Sequence, residues 1–351
     1  MESKPVRLVD IARAAGVSLA TASQVMNNSG RIADATRQRV LAAAERLDYR
    51  PNALARATAS GRSRTIGILA ENASGAFCMP VLVGTNRTLS RFNLASVLYD
   101  AAHSVDLRHS HFRELQARQV DGIVVIGDGA DGVSRSISQE FAGPVAYAFG
   151  KSSDPADTVF LPDDEQAGRL AAEHLIGLGR TRLVHVSAEA ELATVAGRAR
   201  GFASALEAHG LQPAHEPIHG TFSRESGFYS ARRLIDSGAE FDGIFAGNDA
   251  IAVGLAAELQ ASGRRVPDDV AIVGFDNTAG QAGERELFLT SIDPQLAAVG
   301  SRAVEWLVAQ LDDDQDASTV VPSVECTLVT GRSTVGGLPT PRSLVLEQLL
   351  A

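Results

Sequence analysis

From residue 65 to about residue 311, short apolar runs alternate with longer segments in which apolar residues recur at helical spacing. The apolar runs predict strands, at residues 66–70, 94–99, 123–126, 145–149, 183–186, 244–246 and 271–275. The segments between them predict helices, near residues 80–91, 107–119, 132–141, 166–178, 197–209, 224–237, 250–262 and 296–311. Strands and helices that alternate in this way form parallel sheets covered by helices on both faces. Because the alternation is too long for one sheet domain, we predict an α/β core of two doubly wound parallel-sheet lobes, which bind ligands at the carboxyl ends of their strands.

The first 27 residues predict a separate, all-α structure. Small and apolar residues recur at helical spacing, in a first helix at Ile11, Ala12 and Ala15 and in a second at Ala22, Val25 and Met26. Between the two helices, Gly16 permits a tight reversal and Ser18 is suited to cap the second helix. This arrangement is typical of a helix-turn-helix, whose second helix can enter a DNA major groove. A plain αα-hairpin inside an enzyme is the alternative.

The residues that follow predict a third helix and a linker. Residues 34–47 have helical periodicity, with Val40, Leu41, Ala44 and Leu47 facing inward. Residues 53–60 are rich in alanine but too few to form a stable helix in water by themselves. We therefore predict a helix-turn-helix domain at 1–50, a hinge helix and linker at 51–64, a two-lobed core at 65–337 and a tail at 338–351.

Charge is divided unequally between these regions. The chain carries a net charge of −10, yet residues 1–64 hold eleven basic and five acidic residues, for a net +6 against −16 in the remainder. A small basic head on an acidic body is typical of a DNA-binding module attached to a body that avoids DNA. A solvated basic helix is the alternative, but it does not explain why the basic residues coincide with the helix-turn-helix pattern.

Composition disfavours several other classes of protein. No apolar stretch reaches the length of a membrane span and no apolar signal segment precedes the basic residues, so we expect a cytoplasmic protein with no membrane partner. Cys78 and Cys326 are too few for a disulfide framework, and only His109 and His111 among eight histidines are closely spaced. The chain has no Walker loop and no dinucleotide fingerprint. We therefore expect no catalytic residues, no metal site and no cofactor.

Motifs spread over residues 6–335 resemble the LacI/GalR family of bacterial transcriptional repressors. In the basic region they are Asp10-Ile11-Ala12, Ala15-Gly16-Val17-Ser18, Thr36-Arg37-Gln38-Arg39-Val40 and Tyr49-Arg50-Pro51-Asn52-Ala53-Leu54-Ala55. In the core they are Ile66-Gly67-Ile68, Val120-Asp121-Gly122-Ile123, His174-Leu175-Ile176-Gly177-Leu178-Gly179, Arg200-Gly201-Phe202 and the run from Val266 to Asp276. The resemblance implies a homodimer that binds double-stranded operator DNA, with a hinge helix that orders on DNA. It also implies a core of periplasmic-binding-protein type, in which a small molecule bound between the lobes changes DNA affinity.

The resemblance also implies which residues contact DNA. The family reads bases with residues that correspond to Leu19, Ala20 and Gln24. Ser18, Thr21, Ser23 and Asn27 match positions that bind the phosphate backbone, with helix capping or a helix-surface role as the alternative. Leu19 and Ala20 can contact a thymine methyl group but cannot form a bidentate hydrogen bond.

Three residues depart from the family pattern. Gln24 replaces the usual Arg, which predicts a preference for adenine over guanine at the base it faces. Arg7 replaces a Thr that caps the first helix, so a cap is lost and a charge that can bind phosphate is gained. Thr58 replaces a Leu that wedges into the minor groove, so we expect weaker bending of the DNA. Asn52 and Ala55 keep the rest of the hinge pattern.

Two arguments select effector-binding residues. Asn248 and Asp276 directly follow predicted strands, which places them at the ligand-binding edge of one sheet, and capping of the next helix is an alternative role for Asn248. The resemblance adds Arg198, suited to vicinal hydroxyls or a carboxylate, with a surface position as the alternative. It also adds Phe77, Phe149 and Phe222, for which core packing is the alternative. Phe149 replaces a carboxylate of several sugar-binding members and Pro294 replaces a Gln, which indicates a less polar or different ligand.

These features together predict a transcriptional regulator, a repressor controlled by a sugar or sugar derivative and associated with the nucleoid. Two other functions remain as alternatives. One is a regulator of the same architecture that responds to a partner protein, and the other is a sugar-binding protein without a DNA function. The tail at 338–351 is too short for a tetramerising helix, so we expect a dimer.

Overall fold

The computed structural model describes residues 6–26, 30–49, 61–284, 287–312 and 323–335. Contacts between residues divide the chain into two units, Met1–Thr65 with Gln119–Asp121, and Ile66–Arg118 with Gly122–Ala351. We call the described residues 6–49 of the first unit the head and the described residues of the second unit the core.

The head contains three helices, α1 (Leu8–Ala15), α2 (Leu19–Met26) and α3 (Asp34–Arg46). Their apolar faces form one small core, made of Ile11, Ala12, Ala15, Ala22, Val25, Val40, Ala43 and Ala44. The prediction that Leu41 faces inward was wrong, because its side chain is 47% exposed and Ala43 is buried instead. Val40, Ala43 and Ala44 share a helical face, whereas Leu41 lies about 100° further round the helix.

The turn between α1 and α2 has the predicted geometry. Gly16 adopts a left-handed conformation with φ 65° and ψ 41°, which suits glycine. The amide of Val17 then donates to the carbonyl of Ala12 over 3.0 Å. The hydroxyl of Ser18 accepts a 3.1 Å hydrogen bond from the amide of Thr21, so Ser18 caps α2. Both predictions are confirmed.

The strands of the core form two six-stranded sheets and one short pair. The strands are β1 (Thr65–Ala70), β2 (Ala95–Asp100), β3 (Gly122–Ile126), β4 (Val133–Ser134), β5 (Val145–Ala148), β6 (Lys151–Ser152), β7 (Thr158–Pro162), β8 (Leu183–Ser187), β9 (Ile218–His219), β10 (Gly243–Ala246), β11 (Ala271–Phe275), β12 (Thr290–Asp293), β13 (Ser323–Val324) and β14 (Thr327–Val329). The first sheet has the order β13-β7-β5-β3-β1-β2 and the second has the order β14-β12-β11-β10-β8-β9. Pairing is parallel from β13 to β1 in the first sheet, for example Ile66 opposite Gly122, and from β12 to β9 in the second. The edge strand β14 is antiparallel to β12.

Each sheet and its helices form one lobe, and the predicted pair of doubly wound lobes is confirmed. The first lobe has α4 (Cys78–Arg91), α5 (Val105–Ala117) and α11 (Leu296–Leu311). The second has α6 (Asp164–Gly177), α7 (Ala193–Ala208), α8 (Arg224–Asp236), α9 (Asp249–Ala261), α10 (Thr278–Gln281) and α12 (Arg332–Val335). Strands such as β3, β8 and β11 are buried along their whole length, as parallel strands covered on both faces must be.

The chain passes between the lobes three times, after β7, after β12 and after β13. Hydrogen bonds tie these crossings together. The amide of Asp163 donates to the carbonyl of Val324 over 2.8 Å, and the side chain of Gln166 pairs with both backbone groups of Cys326. Gln295 donates to the hydroxyl of Thr327 over 2.9 Å. The three crossings therefore form one connected hinge between the lobes.

Three pairs of helices in the core pack closely through glycine residues. The pairs are α4 with α11, α6 with α7, and α8 with α9, and each helix contributes a glycine at the contact. The glycines are Gly84 and Gly300, Gly168 and Gly201, and Gly227 and Gly254. A Cβ atom on any of them would lie 1.8–2.2 Å from a backbone carbonyl oxygen of the partner helix. Only glycine permits so close a crossing.

Three local predictions were wrong or incomplete. No helix forms near residues 132–141, where the described chain has β4, paired with β6, and a 3₁₀ turn at Ser138–Glu140. The amides of Ser136 and Ile137 donate to the hydroxyls of Ser153 and Tyr147, at 3.0 and 2.9 Å, and these bonds replace helical hydrogen bonds. The strand predicted to include Phe149 ends at Ala148, because Phe149 has a φ of 53°. Seven strands of two to five residues were not predicted, namely β4, β6, β7, β9, β12, β13 and β14.

Asp121, of the Val120-Asp121-Gly122-Ile123 motif, binds the chain segment that precedes β1. Its carboxylate accepts hydrogen bonds from the amide and hydroxyl of Ser63, at 2.7 and 3.0 Å, and from the amide of Arg64 at 2.7 Å. Three charge-assisted hydrogen bonds to adjacent residues fix the chain segment just before β1.

Candidate functional site

One face of α2 presents the residues that were predicted to read bases. Leu19 is 52% exposed, and Ala20 and Gln24 are also exposed. Thr21 and Ser23 are half-buried beside them. The hydroxyl of Ser18 already caps α2 and lies 2.9 Å from the hydroxyl of Thr21. The face is therefore accessible to a partner at its first turn, while its own hydroxyl groups hold the helix start in place.

Other predicted DNA contacts lie at the start of α1 or outside the described residues. The side chain of Arg7 is 65% exposed and makes no capping hydrogen bond, in agreement with the predicted loss of a cap. Asp10 compensates in part, because its carboxylate accepts from the amide of Arg7 over 2.9 Å. The predicted contacts Asn27, Asn52, Ala55 and Thr58, the hinge helix and the tail at 338–351 lie outside the described residues.

A cavity of about 580 Å³ lies in the core at the carboxyl ends of strands from both sheets. All six residues predicted to bind the effector line this cavity: Phe77, Phe149, Arg198, Phe222, Asn248 and Asp276. Pro294 lines it too. The structure thus brings the predicted residues together, and we call this cavity the cleft.

Arg198 is the most constrained of these residues. Its side chain is 8% exposed, and its Nε donates to the carboxylate of Asp164 over 2.8 Å. Its Nη1 donates to the carbonyl of Gly247 over 2.6 Å, and the guanidinium lies 3.4 Å from the centre of the Phe275 ring. Burial raises the pKa of Asp164, against the lowering effect of Arg198. Arg198 is therefore a buried, oriented donor and not the surface residue that was the alternative.

Two carboxyl groups, of Asp164 and Asp276, belong to the wall that the second lobe contributes to the cleft, and Asp249 lies next to Asn248 in the sequence. Burial raises the pKa of Asp276 to about 8, where Arg198 lowers it and the carboxyl groups of Asp249 and Asp164 raise it. Burial also raises the pKa of Asp249 to about 6, although its carboxyl group accepts from Ser291 and from the amide of Thr278. Burial therefore favours the uncharged form of both carboxyl groups.

Asn248 caps the helix that follows it. Its Oδ1 accepts a 2.9 Å hydrogen bond from the amide of Ile251 and so caps α9, which was the alternative role for this residue. The same side chain lines the cleft, so both roles hold in the structure.

Aromatic rings form the apolar part of the cleft. Phe77 and Phe149, from the first lobe, have ring centres 6.0 Å apart, and Phe222 belongs to the second lobe. Phe77 and Phe222 are 36% and 39% exposed, whereas Phe149 is buried. Phe149 is therefore a core residue of the first lobe that also lines the cleft, whereas Phe77 and Phe222 are too exposed to be core residues.

Asp131 joins the two lobes across the cleft. It lies after β3 in the first lobe, and its carboxylate accepts hydrogen bonds from the amide of Ala193 over 3.0 Å and the hydroxyl of Thr194 over 2.5 Å. Lys151 donates to it over 3.1 Å. Burial alone would raise the pKa of Asp131, but the bonds from Thr194 and Lys151 outweigh burial and lower it. Asp131 thus caps α7 from the opposite lobe, and Leu192, at the α7 N-cap, makes no side-chain capping bond.

Sequence reasoning missed Asp131, Asp164 and Phe275 as cleft residues. Asp164 follows β7, so the rule that selected Asn248 would have found it if β7 had been predicted. Asp131 lies in a glycine-rich stretch five residues beyond the end of β3, a position at which the same rule also applies. Phe275 is the last residue of a predicted strand, and nothing in its position indicated that a guanidinium covers its ring.

The cleft and the head together define a class of protein, a DNA-binding regulator with a two-lobed ligand-binding core. Residues 7–52 match the profile of bacterial regulatory proteins of the lacI family, and residues 172–334 match a periplasmic binding protein-like domain. The chain is 30% identical over 312 residues to the HTH-type transcriptional repressor PurR of Vibrio vulnificus, covering 87% of this chain and 92% of that protein.

Two solved structures show the same fold. The lac repressor dimer bound to operator and the anti-inducer ONPF has a TM-score of 0.67 at 23% identity, over 95% of this chain and all of that chain. The complex of the transcriptional regulator CelR with cellobiose has a TM-score of 0.58 at 26% identity, over 93% and 99% of the two chains. The chain belongs to the LacI family of bacterial regulatory proteins, and it is a DNA-binding regulator of transcription that responds to a small molecule. None of its described helices is long and apolar enough to cross a membrane.

Proposed function

We propose that this regulator senses its small-molecule effector in the cleft and reads its operator with α2. One observation carries the proposal: all six predicted effector residues, which are scattered over 200 positions of sequence from Phe77 to Asp276, line one cavity at the strand ends of two sheets. Parallel sheets bind ligands at such an edge. A sugar or sugar derivative suits the cleft, because Asn248, Arg198 and Asp276 supply hydrogen-bonding groups beside apolar rings.

In the head, Leu19, Ala20 and Gln24 contact base edges, and Ser18, Thr21, Ser23 and Arg7 contact phosphates. The exposed first turn of α2 and the positive charge of residues 1–64 support this division of roles. The protein acts as a cytoplasmic homodimeric repressor without enzymatic activity. Its relative PurR is named as a transcriptional repressor, and the lac repressor of similar fold is a dimer on its operator.

Two experiments test these assignments. Genome-wide mapping of binding sites identifies the operator, and the salt dependence of operator binding is then measured by fluorescence anisotropy. Because two heads each carry a net +6, we expect affinity to fall steeply with salt, with a log–log slope of several units. A slope near zero would refute the head as the DNA-binding element.

The effector site is tested with paired variants on one helix. Compounds suggested by the genes beside the mapped sites are tested for an effect on operator binding of wild type, Arg198→Ala and Arg200→Ala. Arg200 is a matched control, since it lies on α7, is 64% exposed and pairs with Glu165 outside the cleft. We expect the response to be lost only in Arg198→Ala, with operator affinity in the absence of effector little changed. A normal response in a folded Arg198→Ala protein would place the effector elsewhere.

A further inference from the structure

Residues 63–65, where the chain passes from the linker into β1, are bound by one residue that is distant in the sequence. The carboxylate of Asp121 accepts hydrogen bonds from the amide and hydroxyl of Ser63, at 2.7 and 3.0 Å, and from the amide of Arg64 at 2.7 Å. The amide of Asp121 donates in turn to the carbonyl of Thr65 over 2.9 Å. Ser63 and Asp121 are half-buried, which strengthens hydrogen bonds to a charged group. We call the side-chain bonds of Asp121 to Ser63 and Arg64 the clamp.

Asp121 is held in place by the residues on either side of it. Val120 is buried, and Gly122 is the first residue of β3 and pairs with Ile66 of β1. Contacts between residues group Gln119–Asp121 with residues 1–65 and not with β3, which begins at the next residue. The carboxylate is therefore a fixed point to which the end of the linker is attached.

The backbone conformation of Arg64 depends on the clamp. Its φ of 53° is left-handed, and residues other than glycine adopt that conformation at a cost in free energy. The two carboxylate oxygens of Asp121 offset this cost, because they accept from the consecutive amides of Ser63 and Arg64. Without the carboxylate, extended conformations are favoured at residue 64 and this part of the chain becomes longer.

The clamp determines how much chain connects each head to its attachment point. While the clamp is formed, residues 50–62 lie between Tyr49, the last described residue of the head, and Ser63. When it is lost, the next bound residue is Thr65. Two more residues then join the connection, and at about 3.4 Å per residue they extend its reach by up to about 7 Å in each protomer. That distance is about the length of two base pairs of DNA.

We propose that Asp121 is a positioning residue for operator binding, and that it restricts the dimer to operators with one spacing between half-sites. Two linked heads bind DNA tightly only when their connections allow both to contact a half-site at the same time. A short connection with a fixed end permits one separation of the half-sites, whereas a longer one permits several. The proposal rests on the proposed function, in which α2 of each head reads one half-site.

The test compares operators that differ only in the distance between their half-sites. Genome-wide mapping supplies the native operator, and one, two or three base pairs are inserted at its centre. Dissociation constants of the full-length protein are measured by fluorescence anisotropy at one salt concentration. We expect wild type to bind the operator with two added base pairs at least about tenfold more weakly than the native one, and Asp121→Ala to lower this ratio to about threefold or less.

Three further variants locate the effect. Asp121→Asn should give an intermediate ratio, because an amide has one acceptor oxygen where the carboxylate has two. Asp106→Ala is the control, since Asp106 is exposed on α5 of the same lobe, and it should keep the wild-type ratio. Insertion of Gly-Ser after Gly61 lengthens the connection by two residues and leaves Asp121 unchanged, so it should lower the ratio as Asp121→Ala does. Melting temperature shows which variants are folded.

Other outcomes would overturn the positioning role. One is that folded Asp121→Ala loses affinity by the same factor at every spacing, as a variant that is merely less stable would. Another is that the Gly-Ser insertion keeps the wild-type ratio, which decides the question even if the Asp121 variants do not fold.

A further comparison separates this proposal from the proposed function. Suppose that wild type prefers the native operator to one with scrambled half-sites but binds all spacings equally. The heads then read half-sites, and the role of Asp121 is wrong. If wild type binds the scrambled sequence as tightly as the native operator, reading by α2 is itself refuted.

Discussion

The head and the core hold their candidate functional side chains in opposite ways. In the head, Leu19 and Gln24 lie exposed on α2, outside the small apolar core that holds the three helices together. In the core, Arg198 is 7% exposed and is bound to Asp164 and to the carbonyl of Gly247 within the fold. The head can therefore change what it reads without changing its fold. In the core, the contacts of a candidate effector residue also take part in holding the fold together.

The head and the core also differ in how readily the residues between their helices can be exchanged. The helices of the head meet through alanine and β-branched side chains, while the helix pairs of the core meet through glycines against backbone. A side chain in the first kind of contact can be exchanged at moderate cost, whereas a glycine in the second kind has no substitute. Substitutions of four kinds in the core and one in the head test this contrast, from the largest expected effect on folding to the smallest.

The largest effect is expected for Gly201→Ala. The new Cβ would lie 1.8 Å from the carbonyl oxygen of Glu165, so α6 and α7 must separate. We expect a loss of about 3 kcal/mol in the free energy of unfolding of the core, measured by urea denaturation. Gly177→Ala on α6 is the control, because nothing lies within 4 Å of that position and the substitution should be neutral or stabilising. Equal effects at both sites would refute the close crossing.

Arg198→Ala should destabilise the core by about 2 kcal/mol, because it leaves Asp164 and the carbonyl of Gly247 without a donor. The cost stays moderate since Asp164 can take up a proton. Arg200→Ala removes an exposed ion pair and should cost less than about 0.5 kcal/mol. Urea denaturation of the two variants measures the difference. A cost for Arg198→Ala no larger than for its neighbour would show that the buried pair contributes nothing.

Asp131 and Thr194 should be coupled across the lobes. In a double-mutant cycle with Asp131→Ala and Thr194→Val, we expect a coupling energy of about 1 kcal/mol, since the hydroxyl donates to a carboxylate. The exposed pair Arg182 and Glu240 serves as the control and should show a coupling below about 0.5 kcal/mol. Additive effects of the two substitutions would mean that the lobes do not share this contact in solution.

The pH dependence of stability should report on Asp276. Its pKa is about 8 in the folded core but about 4 in an unfolded chain. Between these values the folded state binds more protons, so stability falls as pH rises through this window. Asp276→Asn should reduce the fall in urea midpoint between pH 5 and pH 8, and Asp249, with a pKa of about 6, accounts for part of the remainder.

Asp269→Asn is a control with the opposite sign. The hydrogen bonds from Arg265 lower the pKa of Asp269 to about 2, so its contribution is constant from pH 5 to pH 8 and is lost only in acid. A slope unchanged by Asp276→Asn would show that Asp276 ionises like an exposed carboxyl group.

Gln24→Arg should have the smallest effect on folding, less than about 0.5 kcal/mol, because residue 24 is exposed on α2. Its effect on recognition should be larger. We expect the preferred base opposite residue 24 to move from adenine towards guanine by about 1–3 kcal/mol of discrimination, measured by selection from a randomised operator library. The same selection on Leu41→Ala, an exposed residue of α3, should return the wild-type sequence. An unchanged preference in Gln24→Arg would show that residue 24 does not read a base.

The sequence predicts long, periodic features of this fold well. The longer helices of both lobes and the strands β1, β2, β3, β5, β8, β10 and β11 follow from helical spacing and apolar runs. The turn at Gly16 with the cap at Ser18 follows from turn chemistry. Such features depend on local residues, which the sequence shows directly. Of the cleft, the sequence identifies residues that follow predicted strands, such as Asn248 and Asp276, and the family resemblance supplies the others.

Features that depend on distant partners could not be predicted. Residues 132–141 have helical spacing, but the amides of Ser136 and Ile137 donate to Ser153 and Tyr147, which lie beyond the segment. Asp131 caps a helix that begins 62 residues later, and no local signal marks such a pair. The strands β7 and β12 lack an uninterrupted apolar run, because β7 begins with Thr158 and ends with Pro162 and β12 has the polar residues Thr290, Ser291 and Asp293. Their neighbours in the sheet stabilise them.

The three crossings between the lobes also determine how this protein can be recombined with its relatives. The head is one continuous stretch of chain, so a single junction exchanges its operator preference. Neither lobe is one continuous stretch of chain. After β12 of the second lobe, the chain returns to the first lobe for α11 and β13, and it then enters the second lobe again at β14. A chimera that takes one lobe from another regulator needs three junctions, and each would cut through the hydrogen bonds among Asp163, Gln166, Gln295 and their partners. New ligand preferences are therefore more accessible by substitution within the cleft or by exchange of the whole core than by shuffling of lobes.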